Sequence, residues 1–189
     1  MLLLDKIIDA LSDLVVTLPK AQQYNRQELV DFTVSVQAEI ERAIELAILY
    51  IDGTKRIGSE QELILHLQGA SSGLMNVYNE FKVCVGLSGL ADRFEQIFSS
   101  THDAAIVGEV KEVNALFRDL ANGESLVIDG LRGINKKMYA YGCELSVLSD
   151  EAFAAKRTEV VERLELEVQS MRAQLNVFRT SLQDILPLM

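Results

Sequence analysis

The sequence predicts an all-α protein: an elongated, antiparallel, up-and-down bundle of about five to seven helices ending in a long C-terminal helix. Three observations carry this. Apolar residues recur at steps of three and four through every long segment, the period of a helix with one buried face. Proline occurs only at positions 19 and 187, so no pyrrolidine ring interrupts a helix between them. No segment alternates apolar and polar residues as a half-buried strand would. Leu126, Val127 and Ile128 come nearest, and they are too few. A chain of 189 residues suits one domain, read here as 1–189, and 49% hydrophobic with 24% charged residues is a globular rather than a disordered composition.

The first segment puts Leu4, Ile7, Leu11, Leu14 and Leu18 on one seam, widened by Leu3, Ile8 and Val15, and Pro19 stops it. Asp5, Lys6, Asp9 and Asp13 break its apolar run, so Met1 to Leu18 does not read as a secretion signal. Too short to be stable alone, this helix has to dock on another element. A second helix is expected after Asn25, a capping residue with Glu28 at the capping-box distance, on a seam of Leu29, Phe32, Val36, Ile40, Ala43 and Ala47. From Ile44 to Ile51 apolar residues surround the axis, which predicts burial on most sides, and Asp52, Gly53 and Thr54 end the helix.

Ser59 and Glu62 form a capping box by spacing, opening a third helix on Leu63, Leu67, Ala70, Leu74, Val77, Phe81 and Cys84. The small run Gly69 to Gly73 favours close packing against a neighbour over a kink. Gly86, Ser88 and Gly89 suggest a bend before a short helix with Leu90, Phe94, Ile97 and Phe98. After a break at Ser99, Ser100 and Thr101, Ile106, Val110, Val113, Phe117 and Leu120 mark a further helix ended by Asn122 and Gly123. Ser125 starts another to about Leu148, interrupted by Gly130, Gly133 and Gly142. Ser149, Asp150 and Glu151 then open the last helix, acids at its positive end, on a seam of Val161, Leu164, Val168, Met171, Leu175, Phe178, Leu182, Ile185 and Met189. It would be roughly 55 Å long.

Composition narrows the function classes. A net charge of −10 argues against a nucleic-acid partner, which needs clustered cations, and disfavours an anionic membrane surface. Cys84 and Cys143 are well separated and read as buried small residues of a reducing, cytoplasmic compartment. Of the two histidines, His66 has Glu62 one turn away, but a single pair does not make a di-metal site. The pairs Gly86/Gly89 and Gly130/Gly133 lack the Lys-Ser/Thr of a phosphate loop. Arg132, Lys136 and Lys137 read as a solvated face. These residues suggest no catalytic group, cofactor or metal.

The reading is therefore a non-enzymatic protein–protein interaction module of the regulatory, inhibitory or scaffolding kind, its partner another protein or a second copy of itself. The residues expected to serve it are Glu167, Arg172, Leu175, Phe178, Arg179 and Leu182, with Glu167 able to face Arg172 across a parallel pair. One alternative is a membrane-acting bundle that uses Leu2 to Leu18, weakened by the acidic polar face of that helix. Another is a ligand carrier or enzyme with an apolar pocket near Tyr50, Phe81 and Phe117.

Overall fold

In the computed structural model the described residues are 2–17, 23–80, 82–100, 102, 104–121 and 126–188. Among them eight α-helices follow one another: α1 (Leu2–Thr17), α2 (Gln23–Gly53), α3 (Glu60–Gln68), α4 (Ala70–Glu80), α5 (Val83–Phe98), α6 (Ala104–Ala121), α7 (Leu126–Leu145) and α8 (Asp150–Ile185). Short 3-10 turns at Thr54–Arg56 and Leu186–Leu188 complete the secondary structure, and the described residues contain no strand. The all-helical expectation holds, with more helices than expected because the third rod of sequence is divided.

Side-chain pairs along the elements show that they assemble as four antiparallel rods. Along α2 and the α3–α5 run, Tyr50 lies against Gly73, Tyr78 Oη donates to the Ala43 carbonyl at 3.1 Å, and the Phe32 and Phe94 rings stand 4.9 Å apart. Numbers fall on one rod as they rise on the other. The α6–α7 run turns back again, with Arg118 on Glu95 at 2.9 Å and Gly142 against Gln68. Finally α8 runs down α7, where Lys156 meets Glu144 at 3.0 Å and Lys137 meets Glu167, and closes on α2, where Arg172 meets Asp52 at 3.5 Å. Helix α1 packs on both α6 and α8, so it completes the ring at that end. The buried apolar residues form one cluster running through all of this.

Most predicted seams are the buried faces. Leu29, Phe32, Val36, Ile40, Ala43 and Ala47 of α2 are all buried, as are Ile7, Leu11 and Leu14 of α1. Ser59 Oγ accepts from the Glu62 amide at 3.4 Å, the first half of the expected capping box. Other expectations need correction. Asn25 lies inside α2 and does not cap it. On α8 the core residue is Val160 (1% exposed), while Val161 is only partly buried. The physical reason is pitch: a strict three-four repeat drifts about 20° per heptad around a straight helix, and the two successive steps of four from Val160 through Leu164 to Val168 undo that drift. The bend expected at Gly86–Gly89 falls instead at Lys82, whose backbone is left-handed at φ 56°, and both glycines lie inside α5.

The small run in α3 and α4 does two things. Gly69 is the turn that divides the helices, and Gly73 is a point of close approach: a Cβ there would lie 2.2 Å from Tyr50 Oη. The capping expectations at Thr101, Asn122, Gly123 and Ser125 lie outside the described residues, as do Pro19, Phe81 and Met189 and the side chains of Cys84, Phe117 and Ile185.

Candidate interaction surface

Helices α2 and α8 are the two longest, and antiparallel packing brings residues more than a hundred positions apart into register. Arg179 grips Glu41 with both arms, Nε to Oε1 at 2.7 Å and Nη2 to Oε2 at 2.8 Å, and reaches Glu45 at 3.4 Å. Gln37 donates to the same Glu41 carboxylate at 2.7 Å. The Arg179 hydrogen bond holds the Glu41 carboxyl below its ordinary range, against the opposing effect of burial. A two-armed guanidinium–carboxylate pair fixes orientation as well as charge, so this contact sets the helix register. Further along, Lys55 bridges Asp52 at 3.1 Å and Glu165 at 2.9 Å, and Arg157 donates to the Ile57 carbonyl at 2.6 Å.

Between these pairs a groove of about 380 Å³ opens on the surface, lined by Glu45, Ile48, Leu49, Arg172, Leu175, Asn176 and Arg179. Its floor is apolar, since Ile48 and Leu175 are buried, and its rim carries both signs of charge. Ile44 to Ile51 is covered on most sides as expected, with Leu46, Ala47, Ile48 and Ile51 buried, and Leu49, 64% exposed in the wall of the groove, is the apolar exception. From Ala47, a seam residue, two further residues turn the helix about 200°, so Leu49 points away from the core.

The six residues singled out on α8 divide in two. Leu175, Phe178 and Leu182 are buried in this chain's own core. Glu167, Arg172 and Arg179 pair with Lys137, Asp52 and Glu41 of the same chain. Sequence reasoning missed Glu41, Glu45 and Leu49, because nothing local to α2 announces which helix it will meet.

No family model matches this chain, and no curated protein or solved structure matches it.

The remaining candidates are placed as follows. His66 is half-buried, its ring stacked on Tyr50 at 4.5 Å, and burial pushes its pKa down; its Nε2 has no hydrogen-bond partner among the described residues. Tyr50 donates to the His66 carbonyl at 3.4 Å, and its own phenol is pushed up by burial. Tyr50 is thus taken up by α3 and α4, while Phe81 and Phe117, its expected companions in a pocket, fall outside what is described. Cys143 is a free thiol 3.8 Å from Gln68 Nε2. His102 and Lys136 are exposed, and the Arg132 side chain is not described. No group of three or more metal-ligating side chains occurs among the described residues. No helix among them is long and apolar enough to cross a membrane.

Proposed function

We propose that this chain is a non-enzymatic protein–protein interaction module, regulatory, inhibitory or scaffolding, that presents its α2–α8 face to another protein. The observation that supports it is the groove at Leu49, where an exposed leucine and a buried apolar floor sit inside a rim of fixed charges. Apolar area removed from water supplies affinity, and rim charges of both signs select the partner. The rim is already ordered by Arg179 on Glu41, so a partner does not bear the entropy of ordering it. A cytoplasmic setting belongs to the same proposal and agrees with the free Cys143 thiol.

The test is affinity capture from the source cells with the wild type, Leu49→Glu and Asn176→Glu, both in the groove wall, followed by native mass measurement. A stoichiometric partner retained by the wild type and lost from both variants is expected. Capture of the same proteins by all three would refute the use of this face. Arg179→Glu is the poorer probe, because it also breaks the pair with Glu41 inside the chain.

A further inference from the structure

We infer that His66 is an acid-released clasp: neutral, it holds Tyr50 in the crook between α3 and α4, and protonated, it turns out to the Glu62 carboxylate and lets Tyr50 go. This device goes beyond the interaction reading and holds whether or not a partner occupies the α2–α8 groove. Tyr50 comes from α2 and meets the α3–α4 run at two points. His66 stacks on its ring, with centroids 4.5 Å and planes 24° apart. Gly73 leaves room for its hydroxyl end, since a Cβ there would come 2.2 Å from Oη. Gly69, the turn between the two helices, lies between these contacts in the chain. Tyr50 Oη also donates to the His66 carbonyl at 3.4 Å, so one residue of α3 holds both the face and the hydroxyl of the ring.

The clasp is built to fail when the imidazole takes up a proton. His66 Nε2 is cut off from solvent and has no hydrogen-bond partner among the described residues. In the neutral ring that nitrogen can remain a bare acceptor. An imidazolium puts an N–H and a charge at the same place, and a buried charged donor without a partner is costly. The phenol face attracts a cation and opposes release. Burial is nevertheless the leading influence on the ring and lowers its pKa from 6.5, with only the bond to the Tyr50 backbone acting the other way.

The surrounding elements supply no anion for the buried nitrogen. On α2, Asp52 is bound to Lys55 and Arg172, and the following 3-10 turn adds only the cations Lys55 and Arg56. On α4, Tyr78 gives its hydroxyl to the Ala43 carbonyl and Glu80 is exposed. On α7, Cys143 lies by Gln68, Tyr141 lies under Arg163, and Glu144 is bound to Lys156. Glu62 is different: it stands one turn before His66 on the same face of α3, exposed to solvent. An acid four residues ahead of a cation is the favourable order on a helix, and His66 is in the last turn of α3, where the helix dipole favours positive charge. The released ring therefore has a place to go. The clasp is closed above about pH 6.5 and released as the pH falls through the lower value of the folded chain.

The experiment is hydrogen exchange of the full chain at about pH 7.5 and about pH 5.5, corrected for the intrinsic pH dependence of exchange, in peptides covering 48–54 and 66–74. In the wild type, exchange there is expected to rise several-fold at the lower pH, about tenfold being the ceiling for one proton one unit below 6.5. It is also expected to be at least several-fold faster than in the α8 seam around the buried Leu175, because the clasp opens without global unfolding. His66→Gln abolishes the rise, and Glu62→Gln cuts it by about half. Circular dichroism checks that both variants fold. Should His66→Gln fail to fold, the imidazole signals of His66 in a His102→Gln chain decide: they are expected to titrate below 6.5 and to lose their contact with the Tyr50 ring as they do. No rise in the wild type, the same rise in His66→Gln, exchange no faster than in the α8 seam, or an imidazole that keeps its contact with Tyr50 through its titration would each overturn the clasp. A rise lost in His66→Gln but whole in Glu62→Gln overturns Glu62 as the acceptor.

Discussion

Helices α2 and α8 cross the molecule unbroken, while the other two sides of the bundle are built in pieces, α3–α4–α5 and α6–α7. The continuous pair is held by bulky apolar side chains in two facing seams and by ion pairs that set their register, Arg179 on Glu41 and Arg172 on Asp52. The segmented sides also bury apolar side chains, Phe94 against Phe32 among them, but at several points they meet their neighbours through a missing one. Glycine at 73 admits the Tyr50 ring, glycine at 86 admits the Glu39 carboxylate, and glycine at 142 admits Gln68. A straight helix keeps its seam only while every turn offers a side chain of the right size. Where a neighbour's ring or carboxylate needs the space, the chain gives up a Cβ. Among the described residues the α3–α4–α5 side is also interrupted at Gly69 and at Lys82.

The largest effect is expected where the continuous seam is densest. Phe178 is 1% exposed, and Phe178→Ala should cost about 3–5 kcal/mol in urea unfolding, the transfer of the ring together with the cavity it leaves. A loss under about 1 kcal/mol would mean that the α2–α8 seam is not the principal source of stability.

The segmented sides offer a comparison whose two members differ in sign. At Gly73→Ala a methyl group would come 2.2 Å from Tyr50 Oη and 2.7 Å from its ring, so the ring must leave its place and its stack on His66. Against a gain of about 1 kcal/mol in helix propensity, the overpacking should leave a net loss of about 1–2 kcal/mol. At Gly133→Ala nothing lies within 4 Å, so the same substitution in α7 should stabilise by about 0.5–1 kcal/mol. Thermal melting of the two variants beside the wild type tests both. If both were stabilised, close approach would not be the reason for Gly73.

Much of this plan was legible in the chain because a seam is a local pattern. The α2 positions from Leu29 to Ala47, the α8 positions from Leu164 to Leu182 and the cap at Ser59 follow from spacing alone. What spacing does not contain is the identity of the helix opposite. The pairing of Glu41 with Arg179 spans 138 positions, and no rule of local sequence selects it from the other acids of α2. The break at Lys82 was hidden for a related reason. A lysine carries no turn signal, whereas Gly86 and Gly89 do, yet the nearness of Glu39 accounts for Gly86 inside a helix. For the candidate surface, the apolar residues of α8 were legible as a seam, but their direction, inward to α2 and not outward to a partner, was not. Leu49 was within reach of the sequence. Its angle from Ala47 already turned it to solvent, and only the density of apolar neighbours argued otherwise.

The smallest effect lies where the unbroken and the segmented sides touch, at His66 of α3 stacked on Tyr50 of α2 at 4.5 Å. Burial lowers the His66 pKa from its ordinary 6.5, so the unfolded chain takes up a proton more readily than the folded one. Stability owed to this group is then fully present above about pH 6.5 and is lost as the pH falls from there through the lower folded value. The group is only half-buried, and water screens part of the effect. Unfolding midpoints between pH 5 and 8 should decline on the acid side for the wild type, and the decline should be shallower for His66→Gln, which carries no titrating ring. The Glu41 carboxyl, held low by Arg179, titrates below its ordinary 4.5 and leaves this window to the histidine. Equal slopes for the two proteins would show that the α2–α3 contact is insensitive to protonation and that the ring sits in fuller contact with water than its stacking on Tyr50 implies.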